Sequence, residues 1–429
     1  MRNFLLSLTS FMCCSLVITS LFAQRTCATY EYNLAMMQTH PEFAQNQKDI
    51  ERATQEFIKR GGGESLSGIA NLGTPLYTIP VVVHVVYKTV VQNISQAQIL
   101  SQISVLNKDY QLKNSDTSLI PSVFKLRRGD FKIKFCLAKT DPNGNATTGI
   151  IRKKTTKKSF SSNDAVKFSS MGGDNAWPAD KYLNIWVCNL GQGLLGYAQF
   201  PGGPASTDGV VILYSAFGDE LTVDPPYDKG RTATHEIGHW LNLRHIWGDD
   251  GGACTGSDLV GDTPNQAGEN YGCPSFPHIS CGNGPNGDMF MNYMDYTDDA
   301  CMFMFTKGQR DRSYAVLQPG GARYSVTQSG KCAAVIASLM NNNATEISNT
   351  IKIYPQPANN YANIGFKTNW KGNTTITLIN GMGSIVTVKQ TNAESKIYRL
   401  DVSALKSGIY YIRLNNNKEM ISQKIIVQH

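Results

Sequence analysis

Three histidines and a glutamate in the stretch HEIGHWLNLRH, His235 to His245, are spaced to do chemistry together. On a helix, side chains four apart project from one face, so His235 and His239 can aim their imidazoles at one metal ion. Glu236 points beside that ion, where its carboxylate can take a proton from water held there. His245 lies six residues past His239, off the face a continuing helix would present. The helix must therefore end near Asn242 and the chain swing back to supply the third imidazole. Three neutral imidazoles with a fourth position left for water suit Zn2+. His40, His84, His278 and His429 lack such spacing and read as structural.

The flanking elements must hold these groups in place. Tyr77–Tyr87 (YTIPVVVHVVY) is a β-branched run of the buried-strand type. Ser95 can cap a helix in which Ile99, Ile103, Leu106 and Tyr110 recur at helical spacing. Strand signals return at Phe131–Ala138, Leu183–Leu190, Leu194–Phe200 and Val210–Tyr214. This predicts an α/β (α+β) unit over residues 61–335 with a mixed, mostly buried sheet. From Gly248 to about Pro285 the chain is rich in Gly, Asp, Asn and Pro and needs staples. Residues 336–350 read as an Asn-rich linker. Residues 351–429, with short strands at close intervals, read as a separate all-β sandwich.

The first 23 residues, with Arg2 and an apolar run from Phe4 to Phe22, predict a secretory signal peptide cut after Ala23. A retained membrane anchor is the alternative, but six Ser and Thr residues dilute the run and no stop-transfer cluster follows. Export removes Cys13 and Cys14 and leaves eight of the ten cysteines where disulfides form. Residues 24–60 are polar, partly helical and without a core, which reads as a propeptide. Gly61–Gly63 after Arg60 mark flexible chain suited to nicking. The net charge is +7, but no Lys/Arg block forms a nucleic-acid stripe, and Lys153, Lys154, Lys157 and Lys158 read as a solvated loop.

Taken together, these residues resemble the metzincin metallopeptidases, and within them the ulilysin-like pappalysin family. The likeness covers roughly residues 24–330, most specifically 193–320. Asn292–Tyr293–Met294–Asp295–Tyr296 matches the family's Met-turn. The resemblance implies that Met294 is an apolar floor under the ligands and that Tyr296 polarises the scissile carbonyl or joins the metal sphere. Where metzincins place glycine this chain has Asn242, the side chain that best tolerates positive φ, at a cost of about 1 kcal/mol. GLLGYAQFP (Gly193–Pro201) is similar to the family's cleft-edge strand, in which Leu195, Gly196 and Tyr197 would pair with extended substrate.

Four further expectations come from the resemblance. Cys254 would bridge Cys281 and Cys273 would bridge Cys301, although the sequence by itself allows three pairings. Cys136, Cys188 and Cys332 stay unassigned, with two of them read as thiols packed in buried strands. Asp258, Gly261 and Thr263 resemble a calcium loop, a plain turn being the alternative. Asp299 would line the pocket for the residue after the cut bond and favour Arg or Lys. Cys27 would occupy the open zinc position in a latent precursor.

The tail resembles the C-terminal sorting domain of the type IX secretion route, through IYPQPANN (Ile353–Asn360), LINGMG, LDVSALKSGIYYIRL and KIIVQ. It implies export through the periplasm to the outer surface or medium. A carbohydrate- or protein-binding sandwich is the alternative. The reading is thus a secreted, latent zinc endopeptidase acting on proteins or peptides, with no nucleic-acid partner and no transmembrane anchor once mature. A zinc amidase and a silent surface adhesin are its rivals.

Overall fold

The structure is a computed structural model that describes residues 26–66, 76–191, 193–220, 222–333, 351–366, 372–380, 385–392, 397–416 and 420–429. The signal-peptide and linker readings fall outside these residues. Among them, no helix is long and apolar enough to cross a membrane.

The first unit is built on β1 (Tyr77–Tyr87), which lies at the middle of a six-stranded sheet. One edge of β1 is shared by β2 (Ile133–Leu137) and β3 (Ile150–Lys154), and its other edge pairs with β4 (Leu183–Cys188). β6 (Val210–Leu213) follows β4, and the short β5 (Gly196–Ala198) closes the sheet. Every pairing is parallel except that of β5 with β6. Both faces of β1 are covered, which is why it reads as an unbroken apolar run rather than an alternation.

Lys153 and Lys154 therefore lie in β3, on an exposed strand, and not in the loop the charge run suggested. Their charges hid a strand in which Ile150 and Ile151 are half-buried and only Arg152, Lys153 and Lys154 face solvent.

Val81, Val83 and Val85 face one way and pack with α3 (Gln96–Asp109) and α4 (Arg231–Trp240) through Ile99, Leu106, Ile237 and Trp240. Ser95 caps α3 by accepting the Gln98 amide. Val86, Trp186 and Tyr197 on the other face receive Tyr32 and Met36 from α1 (Thr29–Thr39) and Phe43 from α2 (Pro41–Lys59). The N-terminal helices, lacking a core, thus borrow one from the sheet.

Cys136 in β2 is bonded to Cys332, so it is no free strand thiol. The bond spans 196 residues of sequence, a separation at which spacing carries no pairing signal. Cys188 is free and buried.

The second unit contains two antiparallel sheets. β10 (Ile385–Asn392), β9 (Asn373–Asn380), β12 (Gly408–Asn415) and β13 (Met420–Val427) form one. β11 (Ile397–Asp401), β8 (Tyr361–Phe366) and β7 (Ile351–Tyr354) form the other. Ile353, Ile364, Leu378, Leu400, Ile412 and Ile425 make a shared core, as expected of inward-facing alternate residues.

Candidate active site

Helix α4 carries His235, Glu236 and His239 and stops as the spacing required. The Leu243 amide turns back to the Gly238 carbonyl, and Asn242 takes φ +74°. Arg312, on α5 (Lys307–Leu317), donates from Nε to the Asn242 carbonyl and holds the turn. At the helix start, Arg231 donates to Asp109 at 2.8 Å, to Asp116 at 2.9 Å and to the Tyr293 hydroxyl. That buried network ties α4 to α3 and to the Met294 segment.

His235, His239 and His245 converge. The His239 Nε2 atom lies 3.0 Å from that of His235 and 3.1 Å from that of His245. The Nδ1 atoms of His235 and His239 face the carbonyls of Tyr293 (2.7 Å) and Leu243 (2.9 Å), which can only accept. The Nδ1 of His245 faces the Asp249 carboxylate at 2.6 Å. All three Nδ1 atoms must therefore carry the proton, which leaves each Nε2 as a bare lone pair. Burial and the neighbouring His245 push the His239 pKa well down. Three lone pairs about 3 Å apart fit one cation bound at about 2.0–2.1 Å from each, the distance of zinc to imidazole. Cys27 joins these three, all four ligand atoms lying within 4.8 Å of one another. Among the described residues no second such cluster occurs.

Glycine sets two close approaches. A Cβ on Gly196 would meet Glu236 at 2.9 Å, so the edge strand β5 can lie against the carboxylate only without a side chain there. A Cβ on Gly238 would meet the Met294 sulfur at 2.5 Å, so Met294 packs directly beneath the helix. Gly238→Ala should therefore displace Met294 and destabilise the unit by about 1–3 kcal/mol, the usual cost of overpacking. A thermal melt of the purified protein checks this; an unchanged melting temperature would mean that Met294 does not need the space.

Residues Thr26–Ala28 cover the site. Leu195 N donates to the Thr26 carbonyl (3.0 Å) and Ala28 N to that of Gly196 (3.2 Å), in a parallel bridge along β5. Thr29 donates its hydroxyl to Glu236 at 2.9 Å and accepts from Ala198 N. Tyr296 donates to the Cys27 carbonyl at 3.1 Å and sits 3.2 Å from the His245 Nε2. Deeper in the sheet face, Tyr32 receives a hydrogen bond from the buried Lys167 (3.0 Å) and donates to Asp164 (2.9 Å).

The sequence reading missed Thr29, Asp249, Trp247, which stacks on His245 with its ring centroid 4.4 Å away, and Arg231. Only Asp249 carried a signal, four residues past a candidate ligand.

The more distant expectations fare differently. Asp299 is fully buried, and its Oδ2 accepts the amides of Lys229 and Arg231. Cys254 is bonded to Cys281 and Cys273 to Cys301. The calcium expectation gains no support. Asp258 is buried with its carboxylate spent on the Thr263 hydroxyl (2.9 Å) and the Val260 amide (3.1 Å), while Gly261 is exposed. Burial raises the Asp258 pKa to about 7. Gly62 and Gly63 are also not free chain. They are buried against α5, and Gly63 N donates to Asp311. Only Arg60 and Gly61 of that stretch are exposed.

Comparison with known proteins places this geometry. A family profile for peptidases of the M43 type, described as pregnancy-associated plasma protein-A, matches residues 169–318. A profile for a secretion system C-terminal sorting domain matches residues 352–428. The chain is 32% identical over 272 residues to an extracellular metalloprotease of Arthroderma otae, covering 62% of this chain and 85% of the relative. Among solved structures it is similar to Tannerella forsythia mature mirolysin in complex with a cleaved peptide. That match has 56% identity and TM-score 0.58 and covers 60% of this chain and 97% of the other. A Tannerella forsythia promirolysin mutant matches at 51% identity and TM-score 0.63, over 71% of this chain and 97% of the other.

Proposed function

We infer the reaction from one premise: the chain belongs to the pappalysin family of metallopeptidases and is a secreted zinc metalloendopeptidase, addressed by its tail to the type IX route. Its reaction is the hydrolysis of internal peptide bonds, with a preference for cutting before Arg or Lys. The observation that carries this reading is the convergence of three unprotonated imidazole nitrogens beside a carboxylate and next to the sheet-edge strand β5.

His235, His239 and His245 hold the zinc, which when bound acidifies water and polarises a carbonyl. Glu236 accepts the water proton on the carboxylate that Thr29 engages in the latent form, and passes it to the departing amine as the C–N bond breaks. Tyr296 donates to the oxygen of the attacked carbonyl. Its contact with the Cys27 carbonyl supports this role, because that oxygen is a peptide carbonyl lying in the site. Substrate pairs with Leu195, Gly196 and Tyr197 of the edge strand, where Thr26–Ala28 now lie. Met294 packs under α4, and the two disulfides staple the loop-rich segment between Cys254 and Cys301.

Residues 24–60 act as the propeptide, with Cys27 as fourth ligand in the latent form. The related promirolysin is likewise a proform by name.

The preference for basic residues rests on Asp299, a carboxylate held in the protein wall next to α4. Two backbone amides hold its Oδ2 in place, and a guanidinium or ammonium of substrate would pair with the carboxylate. Mass-spectrometric mapping of cuts in a denatured protein mixture tests the reading. Processed enzyme should cut before Arg and Lys, and chelator should abolish the cuts. Asp299→Asn should erase the basic preference by roughly tenfold or more in kcat/KM, about 1.4 kcal/mol. Basic preference that survives in Asp299→Asn would make Asp299 a cap for α4 and nothing more. No cuts from zinc-loaded, processed enzyme would overturn the endopeptidase reading.

A further inference from the structure

Helix α2 carries a second contact with the catalytic machinery, remote from Cys27. The Arg312 side chain is fully buried, and its three nitrogens are all committed. Nε holds the Asn242 carbonyl at 3.1 Å, in the turn between His239 and His245. Nη1 and Nη2 grip the two oxygens of Glu51 at 3.0 and 2.7 Å, a fork-on-carboxylate geometry. Gln55 braces Glu51 from the next turn of α2. Two amides fix the helix around this pair: Asn46 donates to the Gly202 carbonyl and Asn242 to the Thr54 hydroxyl.

If residues 24–60 leave on maturation, as proposed above, Glu51 leaves with them. The Asn242 carbonyl anchors the Arg312 Nε, so the fork stays in place. Without Glu51 the fork presents two donors with no anion on them, an arrangement that a carboxylate completes.

We propose that the processed enzyme keeps a carboxylate-binding site at Arg312, separate from the three-histidine cluster, and that the released α2 segment rebinds there through Glu51. The ligand class is a carboxylate on a helical peptide. Planar two-point recognition favours it over a simple halide. The bound peptide stands one hydrogen bond from the turn that delivers His245.

Fluorescence anisotropy with processed enzyme and a labelled peptide of residues 40–60, which contains no cysteine, tests the proposal. The native-sequence peptide should bind, and the Glu51→Gln peptide should bind at least about tenfold more weakly, the equivalent of about 1.4 kcal/mol. Enzyme with Arg312→Lys, checked by thermal melt to be folded, should bind both peptides alike. Equal binding of the two peptides to native enzyme, or no binding of either at millimolar concentration, would overturn the site. N-terminal sequencing of the active enzyme separates this from failure of the propeptide reading. An active chain that still begins upstream of Glu51 would make the contact a permanent internal ion pair and would overturn both.

Discussion

Glu236→Gln is expected to lower kcat/KM for peptide hydrolysis by about 100- to 10,000-fold, the usual contribution of a general base. Zinc content should stay unchanged. The reason is the division of labour at the site. The three imidazoles face one another, whereas Glu236 lies under Gly196 and meets Thr29 and the Cys27 thiol. A glutamine keeps the shape and can still accept from Thr29 but cannot take up a proton. The measurement pairs single-turnover hydrolysis with metal analysis of the same sample. Retained activity would show that another group moves the proton. Lost zinc would show that Glu236 supports the metal rather than the chemistry.

Cys27→Ala in the precursor is expected to end latency, raising activity before processing by roughly tenfold or more, about 1.4 kcal/mol of cover affinity. A thiolate is a strong zinc ligand, and among the described residues Cys27 is the one His, Cys, Asp or Glu of the cover that joins the three histidines. The rest of the cover remains docked. Thr26 and Ala28 pair with β5, Thr29 engages Glu236, Tyr32 is anchored at Lys167, and Glu51 is gripped by Arg312. The variant should therefore be a leaky precursor rather than an unfolded one, and adding Thr29→Val should increase the leak by releasing Glu236. Activity and N-terminal sequence followed over time provide the test. A Cys27→Ala/Glu236→Gln chain that stays intact identifies the cutting as the enzyme's own. A Cys27→Ala precursor as silent as the native one would assign latency to the main-chain cover instead.

Local periodicity made the large elements legible. The buried strand Tyr77–Tyr87 announces itself by an apolar run, and α3 by Ser95 and the spacing of Ile99 to Leu106. The stop after His239 follows from needing His245, and Asn242 at positive φ meets that need. β3 was hidden because the charged residues of IIRKK disguise a partly solvent-facing strand. The glycines after Arg60 looked free because their partners, Asp311 and Tyr314, are some 250 residues away.

What the sequence by itself determined is the chemistry on offer, imidazoles at helical spacing with a carboxylate beside them, and a secretion address in the tail. These depend on residue type and on separations of a few positions, which backbone geometry converts directly into direction. Only the tertiary structure decided which groups orient those residues and which cover them. Asp249 and the Tyr293 and Leu243 carbonyls set the imidazole tautomers, while Thr29 on Glu236 and Glu51 on Arg312 join segments more than 200 residues apart. Such contacts come from packing of whole elements, and neither partner's local sequence carries a trace of the other.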